Sequence, residues 1–130
     1  MGTRSQPVTR PTARLLGARA ERVAEVYYHL RGFQIVGQNV RLGHLEIDLV
    51  VRRGALLVMV EVRTRGPRSY QGPFASVRGP KLRRLRLAAQ RLWRRFASDS
   101  TLQRLRLDVA AVDLWGPVVT VEVAEAVPLG

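Results

Sequence analysis

Glu61 follows directly on the apolar run Ala55-Leu56-Leu57-Val58-Met59-Val60. A run without alternation reads as a strand buried on both faces. A lone carboxylate there costs several kcal/mol unless it is paired or bound to a cation. Strand geometry supplies a partner in Asp48. A turn centred on Gly54-Ala55 sets Asp48 directly opposite Glu61, and a turn centred on Arg53-Gly54 sets the two diagonally on one face. Opposed residues hold their Cβ atoms about 4.5–5.5 Å apart. Carboxylates that close repel one another in low dielectric. A hard divalent cation such as Mg²⁺ or Mn²⁺ relieves the repulsion, because it takes carboxylate oxygens and waters. Arg63, two residues past Glu61, shares its face. The pattern Asp, Glu-x-Arg is thus either a metal site beside one permanent cation or a buried Asp–Arg–Glu ion-pair cluster. Spacing alone leaves both open.

The other acids divide by context. Asp99, Asp113, Glu122 and Glu125 fall near element ends and read as surface residues, whereas Glu21, Glu46 and Asp108 lie inside elements beside apolar positions. Asp108 reads as a structural acid for a nearby Arg, and Glu46 as either a supporting group near Asp48 or a solvated edge residue. The chain has no cysteine and two histidines, His29 and His44. That excludes disulfides, thiolate metal sites, a cysteine nucleophile and a multi-histidine zinc site. His44 reads as a loop residue.

These residues need elements to position them. Leu16, Ala20, Val23, Tyr27 and Leu30 recur at helical spacing and predict a helix over 13–31, ended by Gly32. Strands are predicted over 33–40, 45–51 and 55–63. In the second, Leu45, Ile47 and Leu49 alternate with Glu46 and Asp48. Residues 65–80 carry three Gly and three Pro and read as a functional loop, with Tyr70 and Phe74 either stacking on bases or wedging a branched junction, or packing under the loop. A second helix is predicted over 81–97, with Leu82, Leu85, Ala89, Leu92 and Phe96 facing the core. Strands over 105–114 and 118–124, joined by a tight turn at Gly116-Pro117, complete an α-β-β-β-α-β-β order and an α/β fold. Residues 1–12 read as a flexible basic arm ahead of a single domain over 13–130.

Across the 130 residues, 22 basic side chains face ten acidic ones, for a net charge of +12. Such a chain attracts polyanions, foremost nucleic acid. Lys81 is the single lysine among these cations. It opens a stripe with Arg84, Arg91 and Arg95 along the second helix, flanked by Arg83, Arg86 and Arg94, with no acid between residues 81 and 98. The stripe reads as a sequence-independent contact with DNA phosphates; a solvated helix face is the plain alternative. No apolar run is long enough to cross a bilayer and no secretory leader is read at the N-terminus, so a cytoplasmic, nucleoid-associated protein is expected.

The segments GARAERVAEVYYHLRGFQIVGQNVR, GHLEIDLVV and LLVMVEVRTR, then Lys81 opening a helix and Arg106-Leu107-Asp108, resemble the YraN-like family of nuclease-like proteins. That family belongs to the PD-(D/E)XK, restriction-endonuclease-like superfamily, which includes the archaeal Holliday-junction resolvases. The resemblance covers about residues 17–113. It implies a mixed central β-sheet flanked by helices. It implies that Asp48 and Glu61 ligate Mg²⁺ or Mn²⁺, with the Val62 backbone carbonyl as a further ligand and Glu21 approaching from the first helix. Position 63 holds the superfamily's catalytic Lys; here it is Arg63, and Leu45 stands where the family usually has Gly. An arginine cannot act as a base, but it can hold a phosphate and stabilise charge.

The function expected is metal-dependent cleavage of DNA phosphodiesters, branched or repair substrates included, with Mn²⁺ favoured and no organic cofactor. By analogy with two-stranded junction cleavage, a homodimer is expected. A module that keeps the nuclease fold but only binds nucleic acid is the first alternative. A basic RNA-associated protein with purely structural acids is the second.

Overall fold

The computed structural model describes residues 12–65 and 78–128. Helix α1 spans Ala13–Leu30 and helix α2 Gly79–Arg95; the strands are β1 Gln34–Leu42, β2 Leu45–Arg53, β3 Leu56–Arg65, β4 Arg104–Asp113 and β5 Thr120–Ala124. Along the chain they run α-β-β-β-α-β-β, as the hydrophobic periodicity predicts. Most of the expected arm lies outside the described residues, but Thr12 belongs to α1 as its N-cap, accepting from the Leu15 N–H at 3.2 Å. Tyr70 and Phe74 also lie outside the described residues.

The sheet has five strands in the order β1-β2-β3-β4-β5. Neighbours are antiparallel except β3 and β4, which pair in parallel through the α2 crossover. Gly54, at φ 59°, permits the two-residue turn Gly54-Ala55 between β2 and β3. That turn sets the register from Arg53↔Leu56 to Leu49↔Val60. One step further, Asp48 stands across from Glu61, the first of the two arrangements expected.

Helices cover both faces. Ala24 and Tyr28 of α1 pack on Leu49, Val51, Val58 and Val60, while Leu85 and Leu92 of α2 pack on Val50, Leu57, Met59 and Leu107. Every residue of β3 from Leu56 to Glu61 is buried, as expected of a central strand.

Three expectations are corrected. The buried stripe of α1 is Ala20, Ala24 and Tyr28. Leu30, the last residue of the helical spacing, is 75% exposed. Small Ala20 and Ala24 let the helix approach the sheet closely, and a buried partner for the Tyr28 hydroxyl fixes the rotation. The strict alternation of β2 also fails: Ile47 packs on the α2 side although Leu49 packs on the α1 side. The break falls at Asp48, beside Asn39 of β1, which takes φ 48° between the pairs Gln38↔Leu49 and Val40↔Ile47. A left-handed residue inside a strand turns the local pleat. Lastly, β4 and β5 are joined by residues 114–119 rather than a tight turn. Pro117 lacks an N–H for a ladder, and the Asp113 carboxylate instead accepts from the Trp115 N–H at 2.9 Å.

Candidate active site

The break in β2 and the last buried residue of β3 bring the two key acids together. Asp48 Oδ2 accepts from the Val62 backbone N–H at 2.9 Å, which ties its carboxylate to the strand that carries Glu61. Glu61 is 7% exposed. Its Oε1 lies 2.7 Å from Lys81 Nζ at the start of α2 and 3.7 Å from Arg63 Nε. Both of the chemistries left open by the spacing are therefore represented: opposed acids, and cations in reach of one of them.

Negative charge is in excess around Asp48. Burial pushes its carboxyl up to about 6, Glu61 and Glu21 add to the rise, and the Val62 N–H and Lys81 oppose it. Glu21 is itself raised, first by burial and then by Glu46, Glu25 and Glu61, against a hydrogen bond from Asn39. Glu21, Asp48 and Glu61 thus act on one another from three separate elements. Among the described residues, no three His, Cys, Asp or Glu side chains converge closely enough to enclose a metal ion by themselves. Two hard carboxylates with surplus charge still fit Mg²⁺ or Mn²⁺, which bind through one or two carboxylates and fill the remaining positions with waters and phosphate oxygens.

A cleft of ≈ 130 Å³ opens beside this cluster. His44 and Glu46 line it from the β1–β2 side, Glu61 from β3, and Lys81 and Arg84 from α2. The remaining candidates divide. Asp48, Arg63 and Glu21 are not among the lining residues of the cleft, and the Val62 backbone N–H donates to Asp48. Arg63 Nε is buried and makes no hydrogen bond among the described residues. Arg91 and Arg95 stay exposed but reach back to β1: they donate to the Leu42 and Arg41 carbonyls at 2.8 and 2.9 Å. The even phosphate-facing stripe expected from helical spacing is therefore split, with Lys81 and Arg84 on the cleft and the other two on the β1 backbone.

Asp108 is structural, as its position suggested. It is wholly buried and accepts from Arg106 Nε at 2.8 Å, Arg106 Nη2 at 2.9 Å, the Tyr28 hydroxyl at 2.7 Å and the Ala126 N–H at 3.1 Å. Two residues gain weight that spacing did not give them. Asn39 was hidden because a strand pattern does not reveal a left-handed backbone; an Asn, the residue type most tolerant of positive φ after Gly, inside a predicted strand was the available signal. His44 read as a loop residue because only the packing of α2 brings its turn to the cleft.

A five-stranded mixed sheet between two helices, with acids paired across its central strands, is a restriction-endonuclease-like α/β architecture. Residues 20–112 match the family described as Uncharacterised protein family UPF0102, and the chain belongs to that family. The chain is 42% identical over 115 residues to a UPF0102 protein of Sorangium cellulosum, covering 87% of this chain and 80% of the relative. It is 39% identical over 103 residues to one from Aeromonas hydrophila, covering 79% of each. With one from Methylococcus capsulatus the identity is 41% over 98 residues, 75% of this chain and 77% of the relative.

Proposed function

We propose that this chain is a divalent-metal-dependent endonuclease acting on DNA, branched and repair or recombination substrates included. The observation that carries the reading is Asp48 opposite Glu61, with surplus negative charge, beside a cleft whose other groups include Lys81 and Arg84. When bound, Mg²⁺ or Mn²⁺ supplies an acidified water and neutralises charge that develops on the phosphoryl group. Asp48 and Glu61 hold the ion, with the Val62 carbonyl at hand and Glu21 supporting from α1.

The protein's own cations have distinct tasks. Arg63 keeps a charge at all working pH and fixes a phosphate through parallel hydrogen bonds. Lys81 carries the ammonium that Arg63 cannot replace, and it reaches Glu61 from α2 rather than from β3. Arg84 holds the neighbouring phosphate. The deciding experiment incubates linear and branched DNA with the protein in Mn²⁺, Mg²⁺ and EDTA, beside Asp48→Ala. Cleavage in Mn²⁺ that disappears in EDTA and in the variant supports the reading.

One observation favours a second reading, a binding module without catalysis. Lys81 already neutralises Glu61 at 2.7 Å, as in a plain ion-pair cluster. Metal-independent DNA binding with no cleavage of any substrate identifies that case, and competition with RNA separates it from an RNA-associated protein.

A further inference from the structure

Arg91 and Arg95 of α2 grip the end of β1. Arg91 Nη1 donates to the Leu42 carbonyl at 2.8 Å and Arg95 Nη2 to the Arg41 carbonyl at 2.9 Å. The approach continues into the β1–β2 turn. A Cβ built on Gly43 would stand 2.7 Å from Arg91 Nη1, and Gly43 takes φ 69°. The positive φ favours glycine, and a side chain there would push the Arg91 guanidinium off the turn. The next residue is His44, exposed, and lining the cleft with Glu61, Lys81 and Arg84.

We propose that the β1–β2 turn is part of the nucleic-acid site: His44 hydrogen-bonds a backbone phosphate in the cleft, and Arg91 and Arg95 are positioning residues that hold the turn there. The inference rests on the reading above for DNA as the bound polyanion, and not for cleavage. An imidazole N–H, an ammonium and a guanidinium are all donors to phosphate oxygens. Two acids share the cleft, Glu46 and Glu61. Glu61 is met by Lys81 and Arg63, which leaves Glu46 alone against the donors of His44 and Arg84. Each of these arginines commits one of its five N–H donors to a strand carbonyl, so part of the basic stripe shapes the turn.

The test uses the full chain in EDTA, so that cleavage plays no part. His29 is the only other histidine and lies on α1, which makes it an internal reference. Imidazole ¹⁵N resonances are followed while duplex or branched DNA is added. His44 signals should move and His29 signals stay. His44→Ala should weaken binding about tenfold to a hundredfold, the worth of one hydrogen bond to a charged group. Arg91→Ala and Arg95→Ala should each cause a comparable loss, and adding His44→Ala to either should cost nothing more, because the turn is already released. DNA binding that leaves His44 unmoved overturns the proposal. Losses that multiply in the double variants also overturn it, since Arg91 and Arg95 would then touch DNA themselves. Binding in EDTA with no cleavage once Mn²⁺ is supplied removes the nuclease reading and leaves this inference standing, whereas no binding at all removes both.

Discussion

Asp48 illustrates how a site acid costs stability. Its folded pKa is about 6 against an ordinary 3.8. Between those values the folded chain keeps a proton that the unfolded chain has released, so stability falls as pH rises from about 4 to 6. Asp48→Asn keeps an oxygen for the Val62 N–H and removes the charge. In EDTA at pH about 7.5 it should gain about 1–3 kcal/mol, the order set by a two-unit shift, and the gain should fade near pH 4 in urea unfolding. Equal stability of the two proteins at both pH values would mean that burying the Asp48 charge beside Glu61 costs nothing. The cations give a second prediction. Lys81→Met should cost about 2–4 kcal/mol of transition-state stabilisation in Mn²⁺, the usual worth of one electrostatic group. Arg63→Lys should keep or raise the rate. Cleavage that survives loss of Lys81 but not Arg63→Ala would reverse their assigned tasks.

At the scale of elements, α1 is bolted to β4 by the Tyr28 hydroxyl on Asp108. Burial and the neighbouring Asp108 both push the Tyr28 hydroxyl pKa upward, so it stays a donor at working pH. Tyr28→Phe leaves a wholly buried carboxylate with one donor fewer and should cost about 1–3 kcal/mol in chemical denaturation. The segment between α2 and β4 is held differently. Asp99 accepts from Thr101 and Arg52, and these hydrogen bonds hold its carboxyl at about 2. The folded pKa is depressed, so this contribution is present above about 4 and is lost as pH falls towards 2. Wild type and Asp99→Asn should therefore differ in stability at pH 7 and converge near pH 2; a constant gap would show that the latch does not depend on the charge.

The whole molecule behaves as a polycation of charge +12 carrying a small anionic site. Long-range attraction to DNA needs no specific contact, and it weakens steeply with salt as counterions are released. The local site must then reject the same phosphates unless its acids are neutralised, by Lys81, by Arg63 or by a divalent ion. Arg84→Glu should lower affinity about equally for all sequences and flatten the log–log salt dependence by about one unit, as for one lost phosphate contact. An unchanged slope in fluorescence anisotropy would place the DNA elsewhere than the cleft.

Element order, the buried central strand and the paired acids were legible in the residues, for local reasons. The unbroken apolar run of β3 forces burial, the glycine at position 54 marks a turn, and either two-residue turn through it leaves Asp48 opposite or diagonal to Glu61; the observed register selects the first. The excess of arginine likewise makes the chain a polycation whatever the fold. What sequence spacing misassigned lies where one element meets another. The rotation of α1 depends on Asp108, which is 80 residues away from Tyr28. The kink at Asn39 depends on a backbone conformation that side-chain periodicity does not record. The grip of Arg91 and Arg95 on β1 depends on carbonyls at the end of that strand, within reach only after α2 packs on the sheet. Periodicity reports which face of an element is apolar; which polar group meets which is decided by contacts between distant segments, and those exist only once the sheet and its helices have assembled.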